Sequence, residues 1–90
     1  MQIKLSASYY RALKGFVKNN KRNAENIKKA LKLLRESPHH PSLNLEKLKG
    51  SQIWTIRIDK GNRIFFFHVD SKIALLIDIG KHDKYRKYSN

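Results

Sequence analysis

Apolar positions recur at two different spacings along the chain, and the change of spacing divides it into a helical half and a strand half. Over residues 9–17 apolar side chains return every three or four positions, which is the period of an amphipathic α-helix. From residue 53 onward they alternate with polar ones, as in strands that have one buried face. The pattern predicts the order strand, helix, helix and then three strands.

The helical half begins with a short alternating segment. QIKL at residues 2–5 predicts a first strand, and the helix that follows covers residues 9–17. A polar break precedes the second helix, which is predicted over residues 24–36 and ends before Pro38. The candidate helix caps are Ser6 or Ser8 for the first helix and Asn20 or Asn23 for the second.

The strand half consists of three alternating segments, residues 53–58, 63–69 and 72–79, separated by the short turns DKGN and DS. Three strands joined by tight turns predict an antiparallel meander. The loop before them, residues 39–51, carries three leucines that we expect to lie against the body of the protein. The predicted fold is α+β: residues 1–90 form a single domain in which two helices pack on one face of a small sheet, followed by a short C-terminal tail.

The DKGN turn admits two registers. A two-residue loop places Arg63 beside Ile58 and mixes a charge into an apolar row. A three-residue loop, residues 59–61 with Gly61 in the left-handed conformation, pairs Arg57 with Arg63. We prefer the three-residue loop because it keeps the apolar side chains of both strands on one face. These side chains are Trp54, Ile56, Ile64 and Phe66.

The preferred register sets two arginines side by side across neighbouring strands. Like charges directly opposite each other destabilise a sheet. A sheet tolerates such a pair when an anion binds between the two guanidinium groups, and we interpret Arg57 and Arg63 in this way. The plainer alternative is that both side chains extend into water at little cost.

Charge narrows the class of partner. The 90 residues include 20 Lys and Arg against 7 Asp and Glu, which gives a formal net charge of +13 at pH 7. Basic residues are in excess both before and after residue 38, so the excess is not confined to a tail. The folded body itself is therefore positive, which favours nucleic acid or an acidic protein as the partner.

The residue types and apolar runs exclude several other classes of protein. The sequence contains no cysteine, so disulfides, thiolate catalysis and cysteine-based zinc sites are excluded. The N-terminal segment MQIKLSASYY has no apolar stretch long enough for a signal peptide. No apolar run approaches the ~20 residues of a membrane span. We therefore expect a cytoplasmic protein.

Five short segments of the strand half carry a resemblance to a known family. In chain order they are Leu48-Lys49-Gly50, Ile56-Arg57-Ile58, Asn62-Arg63-Ile64, Ile79-Gly80-Lys81-His82 and Tyr88. Their order and spacing, together with the two-helix opening, resemble the RelE/ParE superfamily of bacterial and archaeal toxins from toxin–antitoxin pairs. The resemblance covers essentially the whole chain.

The resemblance implies a toxin that an acidic antitoxin protein holds inactive. RelE-like members are endoribonucleases that cut messenger RNA, many of them in the ribosomal A site, and so inhibit translation. We expect this mRNA interferase activity for the chain. ParE-like members share the fold but inhibit DNA gyrase and lack nuclease activity, and this is the alternative function.

The reaction that the resemblance implies needs neither a metal nor another cofactor. The 2′-hydroxyl of the RNA attacks the adjacent phosphate. A base must take its proton, cations must stabilise the extra charge on the phosphate, and an acid must protonate the leaving 5′-oxygen. A planar guanidinium suits the phosphate, and an imidazole with a pKa near neutrality suits the proton transfers.

Four residues are the catalytic candidates. Arg63 matches the superfamily's arginine at the start of the second meander strand, and Arg57 matches a basic residue on the strand before; both are assigned to phosphate stabilisation. His82 stands where the founding type has an arginine, but other branches have a histidine nearby, and we assign it as general acid or base. Tyr88 matches a C-terminal tyrosine and is assigned to substrate orientation or proton transfer. Thr55 departs from the founding type, which has a second basic residue there.

Further residues are expected around this set. The candidates for RNA-backbone contacts are Lys49, Lys81, Lys84 and Arg86. Other chemistry-bearing residues have structural interpretations: His68 as a strand-end or core-edge residue and Phe65–Phe67 as sheet packing. The plainer alternatives for the tail are that His82 is an ordinary exposed loop histidine and that Tyr85 and Tyr88 pack a short C-terminal turn against the sheet. His39 and His40 are adjacent but lack a third ligand, so no metal site is predicted.

Overall fold

The computed structural model of the chain describes residues 1–88, and in them a five-stranded sheet carries two long helices on one face. The strands are β1 (Gln2–Leu5), β2 (Glu46–Lys47), β3 (Ile53–Arg57), β4 (Asn62–Asp70) and β5 (Ile73–Lys81). The helices are α1 (Ala7–Val17), α2 (Lys21–Glu36) and the short α3 (Tyr85–Tyr88), with 3₁₀ turns at Pro41–Leu43 and His82–Lys84. The α+β fold predicted from the sequence is confirmed.

The strands lie in the order β1-β5-β4-β3-β2. β3, β4 and β5 form the predicted antiparallel meander, and β1 joins its edge in parallel with β5. The two-residue β2 pairs antiparallel with β3 at the other edge. The sequence does not predict β2, because two residues are too few for an alternating pattern.

The face of the sheet that packs against α1 and α2, here called the inner face, holds the main hydrophobic core. The meander contributes the predicted row of apolar side chains, and α2 contributes its buried apolar side chains. Leu43 from the connecting loop also packs here, which confirms that the loop leucines lie against the body. The buried members are Tyr9, Ile27, Ala30, Leu34, Leu43, Ile56, Ile64, Phe66, Ala74, Leu76 and Ile79.

Side-chain caps fix where the two long helices begin. The Ser6 hydroxyl accepts a hydrogen bond from the Tyr9 N–H at 3.0 Å, and the Asn20 side chain accepts one from the Asn23 N–H at 2.9 Å. The cap at Asn20 starts α2 three residues before the predicted range, because the polar residues that follow it have no periodicity to reveal a helix. No helix in residues 1–88 combines the length and the apolar character needed to cross a bilayer.

An irregularity between β4 and β5 decides which face of the sheet Asp78 occupies. Phe66 pairs with Leu76, but its neighbour Phe65 pairs with Asp78, so Ile77 is an extra residue and forms a β-bulge. Strict alternation from Leu76 would place Asp78 on the inner face. The bulge turns it to the opposite face, here called the outer face.

The core predicts a clear test of the fold. Phe66 is fully buried in the inner-face core, so Phe66→Ala leaves a cavity and should lower the free energy of unfolding by about 3–5 kcal/mol. Val69 lies on the same strand but is 59% exposed, and Val69→Ala should change the free energy by less than about 1 kcal/mol. Urea denaturation measures both values, and equal losses would contradict this assignment of the core.

Candidate active site

The β3–β4 register brings the two predicted arginines together. Arg57 and Arg63 are direct Cα partners, and the Ile58 N–H donates to the Asn62 carbonyl at 3.0 Å across the loop. The three-residue loop preferred from the sequence is therefore confirmed. Both arginines belong to the outer face, because residues that pair directly point to the same side of a sheet.

The conformation of this loop is set by Asp59 and not by a left-handed glycine. The Asp59 carboxylate accepts hydrogen bonds at 2.9 Å from the N–H groups of Gly61 and Asn62, and at 3.0 Å from the Asn62 side chain. The positive-φ glycine is Gly50, so the prediction that Gly61 is left-handed is wrong. Burial alone would raise the pKa of Asp59, but these hydrogen bonds outweigh burial and lower it.

Arg63 is held by the backbone of the same loop. Its guanidinium donates to the carbonyls of Asp59 and Asn62, each at 2.9 Å, and the residue is only 9% exposed. Burial lowers the pKa of Arg63, and the charge of Arg57 lowers it further. Arg57 is exposed and donates weakly to the Asp59 carbonyl at 3.4 Å. One cation is therefore fixed and the other can move towards a ligand.

A carboxylate that sequence reasoning missed lies on the same face. Glu46 on β2 is directly opposite Thr55, whose side chain shares the outer face with Arg57 two residues later. The negative charge of Glu46 acts against burial and offsets part of the lowering of the Arg63 pKa. In the sequence, Glu46 is noticeable only as an acidic residue just before the meander in a chain with few acidic residues. Its place on the outer face follows only from the pairing of β2 with β3.

His82 is held at the same end of the sheet. Lys81 at the end of β5 pairs with Asn62, and the next residue, His82, donates its backbone N–H to the Gly61 carbonyl at 2.8 Å. This bond ties the start of the tail to the loop that holds Arg63. The arrangement brings His82 and both arginines to one corner of the sheet, and the His82 side chain is exposed there.

Tyr85 is the tyrosine whose ring contacts His82. The two ring centroids are 5.6 Å apart, and the planes are inclined by 32°. His82 opens a 3₁₀ turn, in which residues three apart lie above one another, so the spacing of His82 and Tyr85 accounts for the contact. Sequence reasoning interpreted Tyr85 as tail packing, although the three-residue spacing was readable.

The tail returns to the outer face through a hydrogen-bond network on Asp78. One carboxylate oxygen accepts from the Ile79 N–H at 2.8 Å and from the Lys84 ammonium at 3.0 Å, and the other accepts from the Tyr88 hydroxyl at 2.7 Å. The Lys84 stem crosses Gly80 so closely that a Cβ there would lie 2.8 Å from Lys84 Cε. Glycine at this position therefore allows the tail to fold back.

This network changes the roles expected for two predicted site residues. The Lys84 ammonium forms an ion pair with Asp78 and also donates to the Ile79 carbonyl at 3.1 Å, so it acts within the protein instead of projecting towards RNA. Burial raises the pKa of Tyr88, and its hydrogen bond to Asp78 raises it further. The Tyr88 hydroxyl is thus held protonated, and its ring packs on Phe65 at 5.3 Å. These contacts make Tyr88 an anchor of the tail, and its role in substrate orientation or proton transfer stays a prediction.

The remaining predicted RNA contacts lie in different places. Lys81 is exposed beside His82, and Arg86 is exposed in α3. Lys49 lies in the turn between β2 and β3, at the opposite end of β3 from Arg57. At about 3.3 Å per residue, β3 separates these two ends by more than about 10 Å. Lys81 therefore lies at the same end of the sheet as the arginines, and Lys49 lies at the other end.

The histidines outside the candidate site have structural contacts. His68 packs edge-on against the rings of Trp54 and Phe66 at 5.2 and 5.3 Å, which confirms it as a core-edge residue. The His40 imidazole accepts a hydrogen bond from the Ser42 N–H at 3.1 Å and so caps a 3₁₀ turn. No group of three or more candidate metal ligands occurs in residues 1–88.

The Asp78 network predicts a pH dependence of stability. Burial alone would raise the pKa of Asp78, but its hydrogen bonds lower it below the unfolded value of about 3.9. Its contribution is therefore present above about pH 4 and is lost as pH falls through the folded pKa. Asp78→Asn should lower the free energy of unfolding by about 1–3 kcal/mol at pH 7. The difference from wild type should shrink below pH 4 in urea titrations.

A matched variant controls for the loss of any tail carboxylate. Asp83 lies in the same tail but makes no side-chain hydrogen bond or ion pair within residues 1–88. Asp83→Asn should leave both the stability at pH 7 and its pH profile close to wild type. A gap between wild type and Asp78→Asn that stays constant from pH 7 to pH 3 would contradict the role given to the Asp78 charge.

Comparison with known proteins adds solved structures of the same fold. No protein-family model matches the sequence, and the search of curated proteins gives no significant match. YafQ from Escherichia coli strain BL21(DE3) superposes with a TM-score of 0.74 at 15% identity, covering 91% of this chain and 93% of that one. The YoeB/ParE toxin from Agrobacterium tumefaciens gives 0.74 at 19% identity, covering 91% and 99%.

A complex with an antitoxin is also among the similar structures. The YoeB–YefM complex from Staphylococcus aureus contains a chain that superposes with a TM-score of 0.71 at 24% identity, covering 91% of this chain and 97% of that one. Each match covers nearly the full length of this chain and of the matched chain, so the likeness concerns the whole architecture. The chain therefore has the fold of these toxin structures.

Proposed function

We propose that the chain is the toxin of a toxin–antitoxin pair and acts as an endoribonuclease on messenger RNA, with an acidic antitoxin as its inhibitor. The observation that carries the nuclease proposal is the corner of the sheet where Arg57 and Arg63 pair and the backbone of His82 is bonded to the loop between them. An exposed imidazole on a segment next to two guanidinium groups can combine proton transfer with stabilisation of a phosphate. The likeness to toxin structures supports the same function.

The two arginines supply the stabilisation of charge. When the RNA 2′-oxygen bonds to phosphorus, negative charge builds on the non-bridging oxygens before the bond to the 5′-oxygen breaks. Arg63 is preorganised by its bonds to loop carbonyls, and Arg57 is exposed at its side. A fixed cation such as Arg63 needs no reorganisation during the reaction, and the mobile Arg57 can close on the phosphate, so the two side chains can meet the phosphate charge.

Proton transfer has two candidate groups. His82 is exposed, and its backbone is tied to the loop that holds Arg63, so its imidazole can protonate the leaving 5′-oxygen. The Glu46 carboxylate on the outer face can accept the proton of the 2′-hydroxyl. In this scheme the proton leaves O2′ for Glu46, the O2′–P bond forms, the P–O5′ bond breaks, and His82 gives its proton to O5′.

The partner proposal rests on charge and on the likeness to complexes. A net charge of +13 favours an acidic protein that covers the basic surface. Similar structures include DinJ–YafQ and YoeB–YefM toxin–antitoxin complexes. Inhibition of DNA gyrase, the alternative function, is less favoured because binding alone does not require an exposed histidine next to the loop that holds the two arginines.

Site variants provide the direct test of nuclease activity. Primer extension on messages isolated after induction should find new cleavage sites, and a reconstituted translation reaction with and without ribosomes should define the substrate. His82→Ala should lower the cleavage rate about 10²–10⁴-fold, because it removes a group that transfers a proton. Arg57→Gln should also impair cleavage while leaving the fold intact, because Arg57 is exposed.

Matched variants separate the site from general effects of charge or histidine loss. His39→Ala removes an exposed histidine from the connecting loop, and Arg35→Gln removes an exposed arginine from α2. Both should cleave like the wild type. DNA breaks and supercoiling defects without RNA cleavage would overturn the nuclease proposal and favour the gyrase alternative.

The antitoxin proposal predicts a rescue of growth. Expression of the chain alone should arrest growth, and co-expression of an acidic protein encoded next to it should restore growth and yield a co-purifying complex. Electrostatic attraction makes the association sensitive to salt, so the complex should form more slowly as ionic strength rises. Growth arrest that persists in His82→Ala cells would contradict the nuclease as the cause of toxicity.

A further inference from the structure

A groove between α1 and the end of β5 has no role in the chemistry described so far. Its cavity volume is about 560 Å³, within the range of about 300–1,000 Å³ that small-molecule sites occupy. We propose that this groove binds a nucleotide of single-stranded RNA next to the one held at Arg57, Arg63 and His82. The inference rests on the proposed function and names a second contact for the same substrate.

The lining of the groove combines cations with an apolar floor. Arg11 on α1 and Lys81 at the end of β5 stand at its walls, and Phe16 and Ile79 contribute apolar surface. No acidic residue lines it within the part of the chain that is described. A phosphate is attracted by such cations, and a base can stack on an aromatic ring, so the lining fits a nucleotide.

The two cations are available for a ligand. Within residues 1–88 neither the Arg11 nor the Lys81 side chain makes a hydrogen bond or ion pair, and both residues are exposed. Lys84, by contrast, reaches the same cavity but is engaged with Asp78. Arg11 and Lys81 can therefore each contact a phosphate without breaking an existing interaction.

Gly15 provides an independent observation. It lies in the last turn of α1, and glycine within a helix costs up to about 0.5–1 kcal/mol relative to alanine. Its backbone has no positive φ, and a Cβ at this position would have no atom within 4 Å, so neither conformation nor packing requires glycine. Gly15 lines the groove, and the missing side chain lets a ligand approach the helix backbone.

The groove opens beside the candidate active site. Lys81 precedes His82, and Gly80, which also lines the groove, is the direct Cα partner of Arg63. Asn62, the residue before Arg63, lines it as well. The groove lies on the helix side of this end of the sheet and the arginine pair on its outer face, so an RNA strand that passes round the end of the sheet from the arginine pair places a neighbouring nucleotide in the groove.

Binding of RNA to a variant that does not cleave tests the inference. In a His82→Ala background, fluorescence anisotropy gives the affinity for a labelled single-stranded hexanucleotide and for a dinucleotide. Arg11→Gln should weaken hexanucleotide binding about three- to tenfold and lower the slope of log Kd against log salt by about 0.7, because one phosphate contact is lost. Gly15→Gln should weaken it similarly by filling the groove. Dinucleotide binding should change less in both variants.

Two control variants make the result specific. Lys14→Gln removes one charge from the same helix at a residue that does not line the groove, and it should change the affinity less than twofold. Gly15→Ala should raise the melting temperature through helix propensity while hexanucleotide affinity stays level or falls. Equal effects of Arg11→Gln and Lys14→Gln would overturn the inference, as would a loss of antitoxin binding with unchanged RNA binding.

The outcomes distinguish this inference from the proposed nuclease function. If groove variants bind RNA like the parent while cleavage still requires His82, the groove inference fails and the nuclease proposal stands. If hexanucleotide binding depends on Arg11 but the wild-type chain cleaves no RNA, the nuclease proposal fails and the groove remains an RNA site. If the His82→Ala chain binds no single-stranded RNA, the groove inference is overturned.

Discussion

The arrangement of the outer face depends on one buried carboxylate. Asp78 lies in the middle of the molecule's strand half and accepts hydrogen bonds from its neighbour's backbone, from Lys84 and from Tyr88. An unpaired charge in this position would cost several kcal/mol, so the carboxylate requires the tail to fold back over the sheet. Residues 82–88, which contain the candidate imidazole, are thereby fixed at both ends: at Gly61 and at Asp78.

A second carboxylate organises the opposite side of the same corner. Asp59 accepts the N–H groups of its own loop, which leaves the loop carbonyls free to accept from Arg63. The two acidic residues act mainly through hydrogen bonds, and the charge of Asp59 also attracts Arg63. They hold backbone and tail in a shape that leaves the guanidinium of Arg57 and the ring of His82 exposed. In a chain with only 7 acidic residues, both are used for positioning.

The sequence predicts the periodic parts of this structure and misses the parts that break periodicity. The row of Ile56 and Ile64 follows from alternation, and the same argument yields the Arg57–Arg63 pair. The bulge at Ile77 cannot be predicted from alternation, because one inserted residue exchanges the faces of the residues that follow it and leaves no mark in the composition. The hydrogen bonds of Tyr88 and Lys84 to Asp78 depend on the bulge and were consequently out of reach, as was Glu46 on a strand of two residues.

The energetics of the corner explain why its features point to a ligand. Cross-strand arginines repel each other, and burial lowers the pKa of Arg63, so the unliganded corner stores unfavourable interactions. The loop carbonyls offset this cost only for Arg63, since Arg57 makes a single long contact of 3.4 Å. A phosphate between the two guanidinium groups would remove the repulsion and replace it with two charge-assisted interactions. We therefore expect the sheet to be less stable here than with a neutral pair, and under the proposed nuclease function the phosphate of RNA supplies the anion that relieves the repulsion.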